Sequence, residues 1–295
     1  GVMPMPKKPP PTADEGPIDL SAVQRGLVPT THGHIHFRRC GQARPSVLTA
    51  LLLHINNTSS AMMTELMAEL ATRGVPSVAI DYPSHGHSDH LRTQPSIADY
   101  ASAAAEVVKS LALETIGVVG EAVGAAVAIE LACSHPALVT KIILVNVPFF
   151  DGKATKDIAD IVSVRPTDAT GWLLPVTIQS RLESDPEHSP VKPTQSWIDR
   201  LNTAYAEAGR SRMQALTALK QFDVLARLKE VTCPVQVVYG ELFLYRKHSD
   251  LVLASCERAC SKEVVTLPGF RFHVTWEASV EIAELGSKFF ALAKS

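Results

Sequence analysis

The stretch "VVGEAVGAAVAIE", residues 118–130, decides how this chain folds. An apolar run typical of a buried strand ends in a turn flanked by Gly120 and Gly124, and a helix-forming run of small residues follows. A turn of this kind usually presents a nucleophilic side chain above the end of a sheet. Here the residue at the tip is Ala122, whose methyl group has neither a lone pair nor a titratable proton. The stretch therefore predicts a strand, a sharp turn and a helix, but no nucleophile.

Strand and helix patterns alternate on both sides of this stretch. The predicted strands are short apolar runs, as expected of strands covered on both faces, and lie at residues 46–55, 75–83, 115–121, 141–147, 235–241 and 263–269. Helical patterns lie at residues 62–74, 96–113, 123–136, 250–260 and 277–294. Two short alternating runs around Gly33 predict an antiparallel hairpin at residues 27–41. The alternation predicts an α/β fold with a mostly parallel sheet flanked by helices.

Composition limits the classes of partner. The chain has 295 residues, 46% of them hydrophobic, and a net charge of -2 without a basic stripe, so neither nucleic acid nor a membrane is an expected partner. The first residues show no secretion-signal pattern, and residues 1–26, rich in proline and charge, predict a disordered leader. Five scattered cysteines, an odd number, favour reduced thiols in a cytoplasmic protein. The sequence does not predict an oligomeric state.

Five motifs in the expected order resemble the α/β-hydrolase fold family of the type with a helical cap. They are "LLLHINNTSS" (51–60), "DYPSHGHSD" (81–89), "GEAVG" (120–124), "LKEVTCPVQVVYGE" (228–241) and "LPGFRFHVTWE" (267–277). The resemblance implies an α/β-hydrolase core at residues 27–150 and 230–295. The helix-forming segment 151–229 between them would be the cap.

The resemblance also implies the parts of a catalytic site. The backbone N–H groups of Val123 and Asn56 would form an oxyanion hole, which stabilises negative charge on a carbonyl oxygen. The family's catalytic acid falls at Phe243, and its histidine falls at Phe272. His273, one residue further, is a candidate base if the loop differs in length. The candidate acids near the first position are Glu241 and Asp250, and Asn146 occupies another place where related enzymes carry an acid.

Two explanations of these departures stay open. An engineered serine-to-alanine change made to trap a substrate would account for Ala122 alone. A natural loss of the hydrolytic triad would account for all three departures together, and three separate sites favour it. The first explanation stays open if His273 and Glu241 act as the base and the acid from positions beside the family's own.

Other polar residues have two interpretations each. His54 and His85 occupy family positions where they either order a loop or act as acid–base groups. The polar segment 56–60, with Asn57, either binds a ligand carbonyl or caps the next helix from Ser59 or Ser60. His32, His34 and His36 alternate along a predicted strand, and an exposed strand face is preferred to a metal site. The spacing of Gly120 and Gly124 does not fit a nucleotide-binding loop, so no cofactor is expected.

Three functions follow as hypotheses. The leading one is a non-hydrolytic enzyme of the cyclase, lyase, isomerase or decarboxylase type, acting on a hydrophobic carbonyl-containing small molecule. In it the oxyanion hole stabilises an enolate and a histidine moves the proton. The second is a serine hydrolase of esters, lactones or carbon–carbon bonds in an inactive Ala122 form. The third is a non-catalytic small-molecule binder or scaffold.

Overall fold

The computed structural model describes residues 22–148, 168–170, 174–180 and 194–292. Its strands are β1 (Val23–Thr30), β2 (Gly33–Cys40), β3 (Thr49–Leu53), β4 (Ser77–Ile80), β5 (Ile116–Glu121), β6 (Val139–Val145), β7 (Val235–Gly240) and β8 (Lys262–Leu267). Its helices are α1 (Thr64–Thr72), α2 (Ile97–Ser110), α3 (Val123–Ser134), α4 (Gln195–Ala208), α5 (Gln214–Lys220), α6 (Val224–Leu228), α7 (Ser249–Ser255), α8 (Val274–Glu277) and α9 (Ser279–Phe289). Short 3₁₀ turns precede α1, α5 and α7.

The strands form one eight-stranded sheet in the order β1-β2-β4-β3-β5-β6-β7-β8. Strands β3 to β8 pair with one another in parallel, whereas β2 is antiparallel to both β1 and β4. The hairpin of β1 and β2 turns between Thr30 and Gly33, as the sequence predicts. The predicted fold class, an α/β-hydrolase fold with a mostly parallel sheet, is therefore confirmed.

Both faces of the sheet are covered by helices. In β3, Leu51 and Leu53 pack in a cluster with α2 and α3, while Ala50 and Leu52 pack in a second cluster with α1 and α9. Because alternate side chains of a strand point to opposite faces, a strand buried on both faces has no polar positions. This is why the central strands are continuous apolar runs in the sequence.

Helix α3 is buried along most of its length and touches the sheet backbone. A Cβ atom on Gly124 would lie 2.2 Å from the carbonyl oxygen of Leu53, and one on Gly120 would lie 2.1 Å from that of Gly124. Real Cβ atoms do not approach so closely, so only glycine fits at both positions. The two glycines set how closely α3 follows β5 and packs on β3.

The leader predicted at residues 1–26 needs a correction at its end. Strand β1 begins at Val23, so residues 23–26 pair with β2. This edge strand is largely exposed, and its polar residues gave it the composition of a leader. Residues 1–21 lie outside the described part of the chain. In the described part, no helix has both the length and the apolar content needed to cross a bilayer.

Helices α4, α5 and α6 occupy the predicted insertion between β6 and β7. Helix α4 lies against the core, because Trp197 stacks on Trp276 with ring centroids 4.1 Å apart. Arg200 forms an ion pair with Glu65 of α1. Residues 149–167, 171–173 and 181–193 lie outside the described part, and the cap boundaries at 151 and 229 therefore stay a prediction.

We expect Gly124→Ala to lower the free energy of unfolding by about 3 kcal/mol, since the new methyl group must displace the Leu53 carbonyl. Gly209→Ala is the matched control, because Gly209 has a φ of +51° but no atom within 4 Å of an added Cβ. We expect Gly209→Ala to lower the free energy of unfolding by about 1–2 kcal/mol, because alanine at positive φ is strained. Urea denaturation followed by circular dichroism measures both. Equal losses in the two variants would contradict the close contact.

Candidate functional site

The turn between β5 and α3 holds Ala122 in a conformation that alanine rarely adopts. Its φ is 53° and its ψ is -110°, and positive φ costs an L-residue about 1–2 kcal/mol because Cβ crowds the backbone carbonyl. The N–H of Ala122 donates to the carbonyl of Val145 at 3.0 Å, which fixes the turn against β6. The predicted sharp turn is present, with a half-buried methyl group at its tip.

The two N–H groups assigned to the oxyanion hole belong to residues beside this turn. Val123 is the first residue of α3, so no carbonyl of that helix accepts its N–H. Asn56 lies just after β3, in a loop where the Thr58 N–H donates to the Ile55 carbonyl at 3.3 Å. Within the described residues, neither Val123 nor Asn56 has an acceptor for its N–H. Both groups can therefore bind an oxygen atom of a ligand.

The loop after β3 also contains unpartnered side-chain oxygens. The Oδ1 atoms of Asn56 and Asn57 are buried and have no donor in the part of the chain that the structure describes. Asn57 has a φ of 64°, a left-handed conformation that asparagine tolerates better than most residues. Ser59 accepts the N–H of Ala61 at 3.3 Å and caps the following 3₁₀ turn. The capping interpretation holds for Ser59, and the two asparagines stay candidate ligand groups.

Glu121, next to the tip of the turn, connects it to the loop that carries Phe272 and His273. Its fully buried carboxylate accepts the N–H groups of Val274 and Thr275 at 2.8 and 3.0 Å and the Thr275 hydroxyl at 2.5 Å. Burial raises the pKa of Glu121, although these hydrogen bonds oppose the rise. The carboxylate thus fixes the start of α8 beside the turn.

Asn146 makes a second connection to the same loop. It follows β6 with a φ of 48°, its Nδ2 donates to the Arg271 carbonyl at 2.9 Å, and its Oδ1 accepts the Gly240 N–H at 3.0 Å. It also bonds to Glu121. The amide therefore links β6, β7 and the loop before α8, and its contacts are those of a structural bridge.

Phe243 and Phe272, which the sequence analysis assigned to the family's acid and histidine positions, are in contact. The rings of Phe243 and Phe272 are 5.8 Å apart at 89°, an edge-to-face pair. Phe243 is only 8% exposed and also packs against Tyr239 and Tyr245. Phe243 and Phe272 thus belong to an aromatic cluster with Tyr239 and Tyr245.

His273 points toward α4. Its φ of 52° and ψ of 40° are left-handed, and it directly precedes α8. Its half-buried ring lies edge-to-face on Trp197, with centroids 5.4 Å apart. His273 therefore lies between the loop that Glu121 anchors and the inserted helix α4.

The candidate acids are not buried in the core. Glu241 is exposed, and its Oε2 accepts the N–H of Gly269 at 2.9 Å in the turn after β8. Asp250 is exposed in the first turn of α7. The contacts given for Glu241 are those of a residue that stabilises a turn.

His54 and His85 lie in the interior. Both are fully buried, with ring centroids 5.7 Å apart and with Tyr82 packed against each. Burial, with a contribution from His85, lowers the pKa of His54 to about 3, and burial lowers the pKa of His85 as well. Nδ1 of His54 lies 2.9 Å from the Ile55 carbonyl and that of His85 lies 3.0 Å from the Pro83 carbonyl. Both are neutral at pH 7 and hold loops in place.

The alternating histidines bond to acidic partners. His34 lies 3.0 Å from Asp89 at the surface, and His36 lies 2.9 Å from the buried Asp81. In the described ranges, no three His, Cys, Asp or Glu side chains converge as metal ligands.

Sequence analysis missed the roles of Glu121 and Trp197. Glu121 was given no role in the sequence analysis, yet a lone carboxylate in a buried strand requires hydrogen-bond donors from elsewhere. That mismatch is the feature from which its role could have been predicted. Trp197 had no such feature, since its partners Trp276 and His273 are distant in sequence.

We expect Glu121→Gln to lower the free energy of unfolding by about 2–3 kcal/mol, because an amide offers one acceptor oxygen where four donors need partners. Glu241→Gln is the control and should change it by less than about 0.5 kcal/mol, since that side chain is exposed. Urea denaturation followed by tryptophan fluorescence measures both. A Glu121→Gln protein as stable as the control would contradict the anchoring role.

Known proteins similar to this chain include relatives with and without an assigned activity. An uncharacterized protein of Mycobacterium tuberculosis is 33% identical over 129 residues, which are 44% of this chain and 36% of that protein. The chain therefore spans about a third (36%) of the length of this curated relative. The 2-(acetamidomethylene)succinate hydrolase of Mesorhizobium japonicum is 26% identical over 247 residues, 79% of this chain and 84% of that enzyme.

Solved structures share the fold. The enol-lactonase from Burkholderia xenovorans LB400 superposes with a TM-score of 0.68 at 14% identity, over 90% of this chain and 99% of that one. The profile of the Alpha/beta hydrolase family matches residues 51–284. With this match over most of its length, the chain belongs to the alpha/beta hydrolase family.

Proposed function

We propose that this protein is a non-hydrolytic enzyme of the alpha/beta hydrolase family that acts on a hydrophobic, carbonyl-containing small molecule. The observation that carries the proposal is the edge-to-face pair of Phe243 and Phe272 at the positions of the acid and the histidine. Together with Ala122 at the turn, it leaves the three family positions without a polar side chain.

The three members of a triad act as a unit, so loss of one removes most of the benefit of the others. A single substitution made to trap a substrate would change residue 122 and leave the other two positions polar. At the other two assigned positions, Phe243 and Phe272 are aromatic and pack on each other. This contact supports joint loss of the triad.

The backbone part of the site needs no triad. The N–H groups of Val123 and Asn56 are unpaired within the described residues; Val123 directly follows Ala122, and Asn56 lies in the loop after β3. One such donor stabilises a developing oxyanion by about 2.7–4 kcal/mol. Applied to a carbonyl compound that loses an α-hydrogen, the same donors would stabilise an enolate. This chemistry requires a group that moves the proton, and no cofactor.

His273 is the proposed proton carrier. His54 and His85 are fully buried, with carbonyls at their Nδ1 atoms, and burial lowers the pKa of both. His273 is half-buried, and Glu121 holds the residues after it beside Ala122. A histidine with some solvent access exchanges protons more readily than one sealed in the core.

A serine hydrolase in an inactive Ala122 form is the second candidate. The φ of 53° at Ala122 favours it, because this strained conformation serves to expose a nucleophile. A relative named as a 2-(acetamidomethylene)succinate hydrolase also favours hydrolysis of a carbonyl compound. In this form, His273 with a carboxylate would activate a serine at position 122.

The remaining parts of the proposal concern location and partners. We place the protein in the cytoplasm, where its odd number of cysteines suits reducing conditions. A nucleic acid or a membrane is not a proposed partner, since the charge pattern offers no basic surface stripe.

A fluorophosphonate probe separates the two candidates, because it labels an activated serine whatever the substrate. We expect no adduct by intact mass on the protein with Ala122 or on Ala122→Ser. The triple variant Ala122→Ser, Phe243→Asp, Phe272→His should be labelled, since it restores the triad at the three family positions. Circular dichroism confirms that each variant is folded.

Labelling of Ala122→Ser alone would show that a working base still faces position 122, and the hydrolase would replace our proposal. A folded triple variant without an adduct would show that Phe243 and Phe272 are not the triad positions.

Proton transfer by His273 is tested by hydrogen exchange. We expect the protein to accelerate exchange of α-hydrogens in D₂O for members of a panel of alkyl and aryl ketones, measured by NMR. His273→Gln should lose about 100-fold of this rate, the usual contribution of a general base. His34→Gln, an exposed histidine paired with Asp89, is the control. Ketone binding without exchange would indicate a non-catalytic binder.

A further inference from the structure

Four of the five cysteines gather at the end of the sheet opposite to Ala122. They lie near the first residues of β7 and β8, whereas the turn at Ala122 lies at the carboxyl ends of the strands. Their positions are the last turn of α3 (Cys133), the residues before β7 (Cys233), the end of α7 (Cys256) and the residues before β8 (Cys260). The Cys233 thiol interacts electrostatically with the other three. This thiol cluster is separate from the proposed site.

The strand register sets Cys233 opposite Cys260. In the parallel pair of β7 and β8, the first partners are Val235 and Lys262, and each cysteine lies two residues before its strand begins. The N–H of Cys260 donates to the Thr232 carbonyl at 3.1 Å, so the two segments are hydrogen-bonded directly beside the two cysteines.

The separation suits a disulfide. Neighbouring strands lie about 4.8 Å apart, and disulfides join Cα atoms that are about 4.4–6.8 Å apart. Sγ of Cys260 lies 2.9 Å from the Thr232 carbonyl oxygen, which belongs to the peptide group that precedes Cys233. The Cys260 sulfur is thus directed at its partner residue.

The two thiols differ in access. Cys260 is exposed, so a solute can reach its sulfur, and Cys233 is half-buried. Burial raises the pKa of Cys233 to about 12, with smaller contributions from the neighbouring cysteines. Cys260 is therefore the thiol that meets an oxidant first because it is exposed, and Cys233 is the neighbouring thiol placed to attack the oxidised sulfur.

We propose that Cys233 and Cys260 are an oxidation site that hydroperoxides convert to an intramolecular disulfide. The Cys260 sulfur attacks one oxygen of hydrogen peroxide, the O–O bond breaks, and water leaves as a sulfenic acid forms. The Cys233 sulfur then attacks the Cys260 sulfur, the S–S bond forms and the S–O bond breaks. The displaced hydroxide takes the Cys233 proton and leaves as a second water.

A metal site is the other use of clustered thiols. In the part of the chain that the structure describes, no three Cys, His, Asp or Glu side chains have the arrangement of a metal site. The paired strand positions instead favour a two-cysteine product. The loop closed by this disulfide would contain β7 and the turn at Phe243, so oxidation would restrain that turn.

The test treats the reduced protein with a small excess of hydrogen peroxide, alkylates the remaining thiols and measures intact mass. We expect two alkylated thiols fewer per chain, a disulfide between the peptides that contain Cys233 and Cys260, and full reversal by dithiothreitol. Peptide mapping of the natural sequence needs no variant, so a misfolded mutant cannot obscure the result.

Variants test the pairing. Peroxide should form no intramolecular disulfide in Cys233→Ser or in Cys260→Ser. Cys256→Ser, a change in the same cluster, should still form the disulfide. A Cys260 sulfinic acid beside a reduced Cys233 would overturn the proposal. A Cys260 disulfide between two chains on a non-reducing gel, or an unreacted protein, would overturn it as well.

Discussion

The close approach of α3 to the sheet is the constraint on which the site depends. Gly124 lies against the Leu53 carbonyl with no room for a Cβ, and Gly120 lies equally close to Gly124. A turn this tight leaves one residue, Ala122, at positive φ with its side chain pointing away from the packed backbone. The same approach brings the N-terminus of α3 to the end of β3. The position of the Val123 N–H is thus a consequence of backbone packing, and it does not depend on the side chain at position 122.

Buried polar residues at the ends of two strands hold the loop before α8 in place by hydrogen bonds. Glu121 and Asn146 lie at the ends of β5 and β6, and both bond to backbone groups of residues 271–275. A buried carboxylate or amide is costly unless bonded, so these contacts resist displacement of the loop. The places of Phe272 and His273 follow from this network.

The aromatic pair at Phe243 and Phe272 is consistent with its surroundings. An isolated carboxylate at 243 would be buried against the ring of Phe272, and an isolated histidine at 272 would face the ring of Phe243. Two rings in edge-to-face contact attract each other and leave no buried polar group without a partner. The pair is therefore compatible with this packing in a way that either polar residue alone is not.

The sequence by itself determined the order of strands and helices, the hairpin and the turn at Ala122, because each depends on residues adjacent in the chain. It misplaced the start of β1, since an exposed edge strand is as polar as a leader. Only the tertiary structure decided the roles of Glu121, Phe243 and His273. Their partners Thr275, Phe272 and Trp197 are 29 or more residues away in the chain, and no local pattern records such contacts.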